Sequence, residues 1–388
     1  MRLVFGSASA LIKEVTHDYD LGSGGAALLT TGPVVCLGLF GVIAARLISR
    51  WSVPAVLTGC LALVACGTAI RGLPAWSALV SGTLLAGIGI AVANVLGPVL
   101  VRQFFPHRIG LMTGLLTALV SASAGVASGI TVPLANNVFH GWRVTLLAWA
   151  LPAVVATAAM ATMAVRHYRH DPLAQKRSSG PRWQSLVLTS PIAWAVTGFM
   201  GIQSMLAYSL IGWLPTIYRD RGFSPQGAGL LLTALSVASV LTALTVPIVA
   251  ARIGNQRLVA VAVTALSVCG LIGVASGGTD GAFVWAVILG LGQGGQLSLA
   301  LTMINLRAAS ASTAASLSTM AQSIGYLVAA TGPFIAATIH TAMGSWTAPV
   351  LFLLIAMVPL AICGWIAAGS NRIGSDIQGS ERVVEPVS

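Results

Sequence analysis

Residues Gly24–Arg46 read GGAALLTTGPVVCLGLFGVIAAR, and the chain returns to this text in its second half. GAALLTT (Gly25–Thr31) is answered by GAGLLLT (Gly227–Thr233), and AARL (Ala44–Leu47) by AARI (Ala250–Ile253). An internal repeat of so apolar a segment implies two similar bundles of membrane helices facing one another. Two such halves with a solute site between them are the design of a transporter.

The rest of the chain agrees with this reading. Of 388 residues, 56% are hydrophobic and 7% are charged, against roughly 25% charged in an ordinary soluble domain. No soluble fold hides that much apolar surface, so lipid is the solvent for most of the chain. Apolar stretches of about twenty residues, the length that crosses a bilayer, recur throughout. They predict twelve spans at about 1–15, 24–44, 53–70, 76–101, 109–134, 143–165, 190–216, 226–250, 258–276, 282–306, 313–338 and 347–369. The fold class expected is therefore an all-α integral membrane protein of two parallel six-helix halves.

The polar segment RHYRHDPLAQKRSSGPRWQ (Arg166–Gln184) separates the halves. The organisation expected is an N-terminal half over 1–165, a linker over 166–189, a C-terminal half over 190–369 and a tail over 370–388. The net charge of +11 is orientation rather than a nucleic-acid footprint. With the linker in the cytoplasm, that face carries Arg46, Arg50, Arg102, Arg108, Arg166, Arg169, Lys176, Arg177, Arg182, Arg252, Arg257, Arg307, Arg372 and Arg382. The opposite face carries Lys13, Arg71, Arg143, Arg219 and Arg221. This asymmetry puts the linker and both termini in the cytoplasm of a multi-pass protein of the plasma (inner) membrane.

The repeat runs on through GIG (Gly87–Gly89) and GLG (Gly290–Gly292), through GLMTG (Gly110–Gly114) and AASLS (Ala314–Ser318), and through Trp142 and Trp346. An even number of spans separates each pair, so the halves share one orientation, related by an axis along the membrane normal. Asp18 pairs with Asp220 at the same offset, which makes the seventh span the mate of the first. The first span has room for only about fifteen residues, short of the ~30 Å hydrocarbon core, so it reads as truncated at its N-terminus. The five cysteines (Cys36, Cys60, Cys66, Cys269, Cys363) have neither disulfide nor metal spacing and read as small core residues.

Arg2 is the sharpest candidate for chemistry. The repeat offset sets it level with Ser204, in the middle of the seventh span. A cation at that depth is a functional-site hypothesis by default, and a guanidinium grips a small anion through two parallel bonds. The plainer alternative is an arginine that snorkels from the end of a short helix. The other polar residues within spans are uncharged: Asn94, Gln203, Tyr208, Gln293, Gln296, Gln322 and Tyr326. Gln293 and Gln296 share a helix face, as do Gln322 and Tyr326. Singly each reads as an interhelical hydrogen-bond partner, and together they outline a modestly polar cavity. Trp213 and Tyr218 read as interface anchors. GxxxG-type patterns at Gly110/Gly114, Gly125/Gly129 and Gly290/Gly294 read as close helix packing.

No carboxylate lies in the middle of any span, so proton coupling has no evident carrier. No phosphate loop is present, which excludes an ATP-driven pump. No histidine spacing suggests a metal, no cofactor is expected, and nothing in the spans suits hydrolysis. An enzyme is not expected.

At these residues the chain resembles the cyanate/nitroimidazole transporter family of the major facilitator superfamily, over nearly its whole length. Arg2 fits the arginine of the family's first-span Asn-Leu-Arg, and LIKEV (Leu11–Val15) fits the motif that follows it. The resemblance continues through ALLTTGPVVCLGLF (Ala27–Phe40), NVLGPVLV (Asn94–Val101) and FPHRIGLMTG (Phe105–Gly114). It extends to QSMLAY (Gln203–Tyr208), GWLP (Gly212–Pro215), GLGQG (Gly290–Gly294) and MAQSIGY (Met320–Tyr326). The superfamily's loop motif after the second span becomes GVIAARLISR (Gly41–Arg50), with Ala45 in place of its aspartate. Arg46 and Arg50, with Arg252 in the repeat, are the gating-loop residues the resemblance implies. It further implies a secondary transporter, monomeric in the bilayer, moving a small anion such as cyanate or a small nitroimidazole-like compound by alternating access. A multidrug or metabolite exporter of the same fold is the alternative. A non-transporting membrane sensor or assembly partner is the alternative from another class.

Overall fold

A computed structural model describes Ser7, Leu11, Val15, Asp18 and Tyr19, then residues 23–170, 185–276 and 278–373. Arg2 lies outside the described residues. Within them the chain is helical, with one isolated parallel bridge, Ala308 to Ile373. Nine described helices are long and apolar enough to cross a membrane. The third span, Val53–Ile70, and the tenth, Ala282–Leu306, end where the hydropathy ends. Others overrun it: the fourth is Trp76–Phe104, the seventh Pro191–Asp220, the eighth Pro225–Arg252 and the eleventh Ala311–Met343.

Capping accounts for the ends of the seventh, eighth and eleventh. Ser190 and Ser224, each followed by a proline at the first helical position, accept from the N–H of Ala193 and Gly227. Ser310 does the same for Thr313. Proline there gives up a donor that a helix start leaves unpaired anyway, and the serine oxygen satisfies another. At the far end of the eleventh span Gly344 adopts φ 65°, and its N–H closes onto His340 O at 2.8 Å. That left-handed turn suits glycine. The second span is broken into Ser23–Gly41 and Ile43–Ile48. The fifth, Ile109–Pro133, passes into a π-turn over Leu134–Val138, and the sixth runs as Trp142–Ala148 and Ala150–His170. The ninth span is Arg257–Ala275 and the twelfth Thr347–Ala367.

Packing repeats as the sequence does. Span two lies on four, three on four, and three on six; eight lies on ten, nine on ten, and nine on twelve. The halves meet along two seams, eleven against two and five against eight, which the same repeat interchanges. At the ends opposite the linker each half carries the same Trp–Asp hydrogen bond. Trp142 Nε1 donates to Asp18 Oδ2 at 2.6 Å, and Trp346 Nε1 donates to Asp220 Oδ2 at 2.6 Å. These clasps tie the first span to the sixth and the seventh to the twelfth.

Some residues are not where the hydropathy suggested. Cys66 and Cys269 are exposed on helix surfaces rather than packed in a core. A thiol is small and apolar enough to face lipid as readily as a neighbouring helix. Tyr218 is fully buried beside Phe223 rather than anchored at the interface. Trp213 turns inward, with its Nε1 donating to Pro333 O at 3.0 Å and its ring 5.4 Å from Trp346.

Candidate functional site

Spans seven, ten and eleven pack on one another and carry most of the polar candidates. Along span ten, Gly290, Gly292 and Gly294 lie against the backbones of Leu235, Ser267 and Ser239. Those contacts use up two faces of the helix and leave Gln293 and Gln296 on a third. Gln293 Nε2 donates to Gln296 Oε1 at 3.1 Å, which fixes the second amide. Gln296 is completely buried, and its Nε2 has no hydrogen-bond partner. An unpaired buried amide donor costs about 1–3 kcal/mol, so this atom is an unmet demand for an acceptor.

On span seven, Gly201 meets Gly325 of span eleven, and the close crossing brings their aromatic side chains together. Tyr208 and Tyr326 pack edge to face, with ring centroids 6.3 Å apart. Gln203, level with the crossing, is spent locally, donating to Ser204 Oγ at 2.6 Å and to Met200 O at 3.1 Å. Gln322 reaches the other half. Its Nε2 donates to Asn94 O at 3.0 Å and to Ser318 Oγ at 3.0 Å, while Ser318 donates to Val95 O at 2.7 Å. The sequence candidates thus divide. Tyr208, Tyr326, Gln293 and Gln296 sit on the three spans that pack together. Asn94 and Gln322 belong to the seam between halves, and Gln203 is internally satisfied.

At the linker-side end, the described arginine that joins the two halves lies outside the loop motif. Arg46 and Arg252 are exposed, as is Arg50. Arg102, in the last turn of span four, instead crosses to the other half. Its Nη1 donates to Asn305 O at 2.5 Å and its Nη2 to Ala308 O at 2.9 Å. The receiving loop is itself held from behind. Arg307 Nε donates to Ala367 O at 2.9 Å, its Nη2 donates to Gln256 Oε1, and Ile373 N donates to Arg307 O at 2.7 Å. Burial, and then the charge of Arg372, push Arg307 down to about 10. Arg102 carried a signal in the sequence as a cation closing an otherwise apolar span. Its partners are main-chain carbonyls, which no sequence displays. The hydrogen bonds of Arg102, Ser318 and Gln322, all crossing between halves, lie on the linker side of the bundle, so the halves are latched at that end.

Comparison with known proteins gives the family and the fold. The Major Facilitator Superfamily profile matches residues 1–330. The chain is similar to the 2-nitroimidazole transporter of Escherichia coli (strain K12), with 36% identity covering 96% of this chain and 93% of that protein. It is also similar to the cyanate transport protein CynX of the same organism, with 28% identity covering 93% and 92%. Among solved structures it is similar to the proton:xylose symporter XylE bound to 6-bromo-6-deoxy-D-glucose. The TM-score is 0.78 over 99% of this chain and 97% of that one, at 12% identity, a likeness of fold alone.

Proposed function

This chain belongs to the Major Facilitator Superfamily, and from that premise we propose that the solute it moves is a small, flat, polar molecule of the nitroimidazole kind. It is a multi-pass membrane protein and a transporter of a small solute, not an enzyme. The observation that carries the narrower reading is the unpaired Nε2 of Gln296, buried on the span beside the Tyr208–Tyr326 pair. A nitro oxygen or azole nitrogen supplies the missing acceptor, and an aromatic ring pairs with tyrosine faces at little cost. The 36% identity to a 2-nitroimidazole transporter supports the same choice. In proteoliposomes, Gln296→Leu should lower uptake of labelled 2-nitroimidazole about tenfold, the loss of one hydrogen bond to a buried donor. Uptake equal to the parent protein removes Gln296 from the site.

A second reading is a small anion such as cyanate. It rests on the repeat position of Arg2 and on the likeness to a cyanate transport protein. Arg2→Gln should then abolish cyanate uptake while sparing 2-nitroimidazole.

In either case the halves, 1–165 and 190–369, rock about the cavity between them, with 166–189 as linker and 370–388 as tail. The linker face is the cytoplasmic one by its basic charge, and the protein works as a monomer in the plasma (inner) membrane. Arg102 releases its two carbonyls when that face opens.

A further inference from the structure

At the linker-side end of the C-terminal half, spans seven, nine and twelve enclose a cavity of about 270 Å³. Ile192, Trp365 and Ile366 form an apolar wall, and Asn255, Arg257 and Asn371 form a polar one. Ile192 stands at the start of span seven, eleven residues before Gln203. At 1.5 Å per residue that is about 16 Å along the helix, so this space is separate from the solute site.

Its depth is marked by tryptophan. Trp194 and Trp365 are 50% and 51% exposed at this end, and Trp51 is 48% exposed at the same end of the other half. Half-exposed indoles in a ring settle at the level of the lipid headgroups. The cavity therefore opens where phosphates lie, with the exposed apolar side chains of Ile366 and Leu258 beside it.

Arg257 supplies the charge. Its guanidinium lies 4.8 Å above the Trp365 ring, and its Nε donates to Trp365 O at 3.3 Å. These contacts aim the side chain and leave both terminal nitrogens without an acceptor among the described residues. Asn255 Oδ1 takes the Arg257 N–H at 3.1 Å, which leaves the Asn255 amide NH₂ free to donate. The described carboxylates, Asp18, Asp220 and Asp280, all stand at the opposite end of the molecule. A planar cationic fork with no described carboxylate to meet it, flanked by amides, matches a tetrahedral oxyanion.

We propose that this cavity seats the phosphate of an anionic phospholipid headgroup, its acyl chains leaving across Ile192, Trp365 and Ile366. Free phosphate shares the chemistry of the polar wall; the apolar wall and the tryptophan level favour the lipid.

The test uses the purified full-length protein in mild detergent, offered dioleoylphosphatidylglycerol or dioleoylphosphatidylcholine and read by native mass spectrometry. The parent protein should retain one phosphatidylglycerol in preference to phosphatidylcholine. Arg257→Gln should cut that preference about fivefold, Arg257→Lys should keep part of it, and Arg108→Gln, an exposed cation elsewhere on the same end, should leave it unchanged. Asn371→Leu changes the polar wall without touching Arg257, and it should weaken retention even if Arg257→Gln folds poorly. Equal retention by the parent and both wall variants overturns the site, as does an equal loss in Arg108→Gln. Millimolar inorganic phosphate raising the unfolding temperature as far as phosphatidylglycerol does overturns the lipid assignment.

Discussion

Where span five lies on span eight, Gly110 and Gly114 bring one backbone against another. A Cβ at Gly110 would stand 2.6 Å from Pro247 O, and one at Gly114 2.9 Å from Leu244 O. The repeat carries these glycines onto Ala314 and Ser318 of span eleven, where the matching seam is built otherwise. There Gly38 and Gly41 of span two close on Leu327 and Ser323, and beside them Ser318 and Gln322 reach across to the carbonyls of Val95 and Asn94 on span four. Among the described residues the first seam is smooth and held by contact alone, while its mate is flanked by directional hydrogen bonds from span eleven to span four. In lipid no hydrophobic force drives helices together, so association rests on close packing and interhelical hydrogen bonds. The smooth seam can slide without breaking a bond, whereas the directional one must break several to part. Duplication preserved the scaffold and let the two interfaces diverge in chemistry.

The strongest way to break this comparison is to roughen the smooth seam. Gly110→Val places a branched side chain against main chain that cannot yield, an overpacking cost of about 1–3 kcal/mol. Uptake in proteoliposomes should fall more than about tenfold, and near-parent uptake would mean the seam does not carry the motion. Next comes the latch beyond the directional seam. Arg102→Ala removes both bonds to the Asn305–Ala308 loop. A cysteine at Ala308 in that background should be alkylated about fivefold faster, on the order of 1 kcal/mol for partly exposed charge-assisted bonds. Smaller effects follow beside the seam. Gln322→Leu and Ser318→Ala should each cost about 0.6 kcal/mol, the average for interhelical bonds in a bilayer. They share a hydrogen bond, so their double-mutant cycle in thermal unfolding should be non-additive. The smallest difference is expected between the two clasps, which share the Trp–Asp bond and differ by the half-exposed Arg143–Asp18 ion pair at 3.6 Å. Asp18→Asn and Asp220→Asn should lower stability equally, within about 0.5 kcal/mol. A larger loss in Asp18→Asn would show that the Arg143 ion pair makes the divergence reach the scaffold too.

Much of the fold was legible because lipid imposes a simple rule on sequence. Each span must be apolar for its full length, so the third and tenth could be bounded to the residue. The seventh, eighth and eleventh helices overrun their expected ends under capping serines and glycine stops, signals weaker than hydropathy, and the fourth does so with neither. The site was legible only as an inventory. Gln293, Gln296, Tyr208 and Tyr326 stood out as polar groups in apolar text, but so did Gln203, which spends its amide within its own turn. The arginine that joins the halves was one cation among many on its face.

By itself, then, the sequence determined the spans, the repeat and the handed arrangement of two parallel halves. It also determined the basic end, because apolar length and charge placement are one-dimensional quantities. Only the tertiary structure decided which faces meet. A helix that is apolar all round marks no side for its neighbour. The choice falls to the fit of small residues against backbone and to main-chain carbonyls such as those of Asn94, Val95, Asn305 and Ala308. Every residue carries such an acceptor, so no residue letter records which ones a distant arginine or glutamine will find.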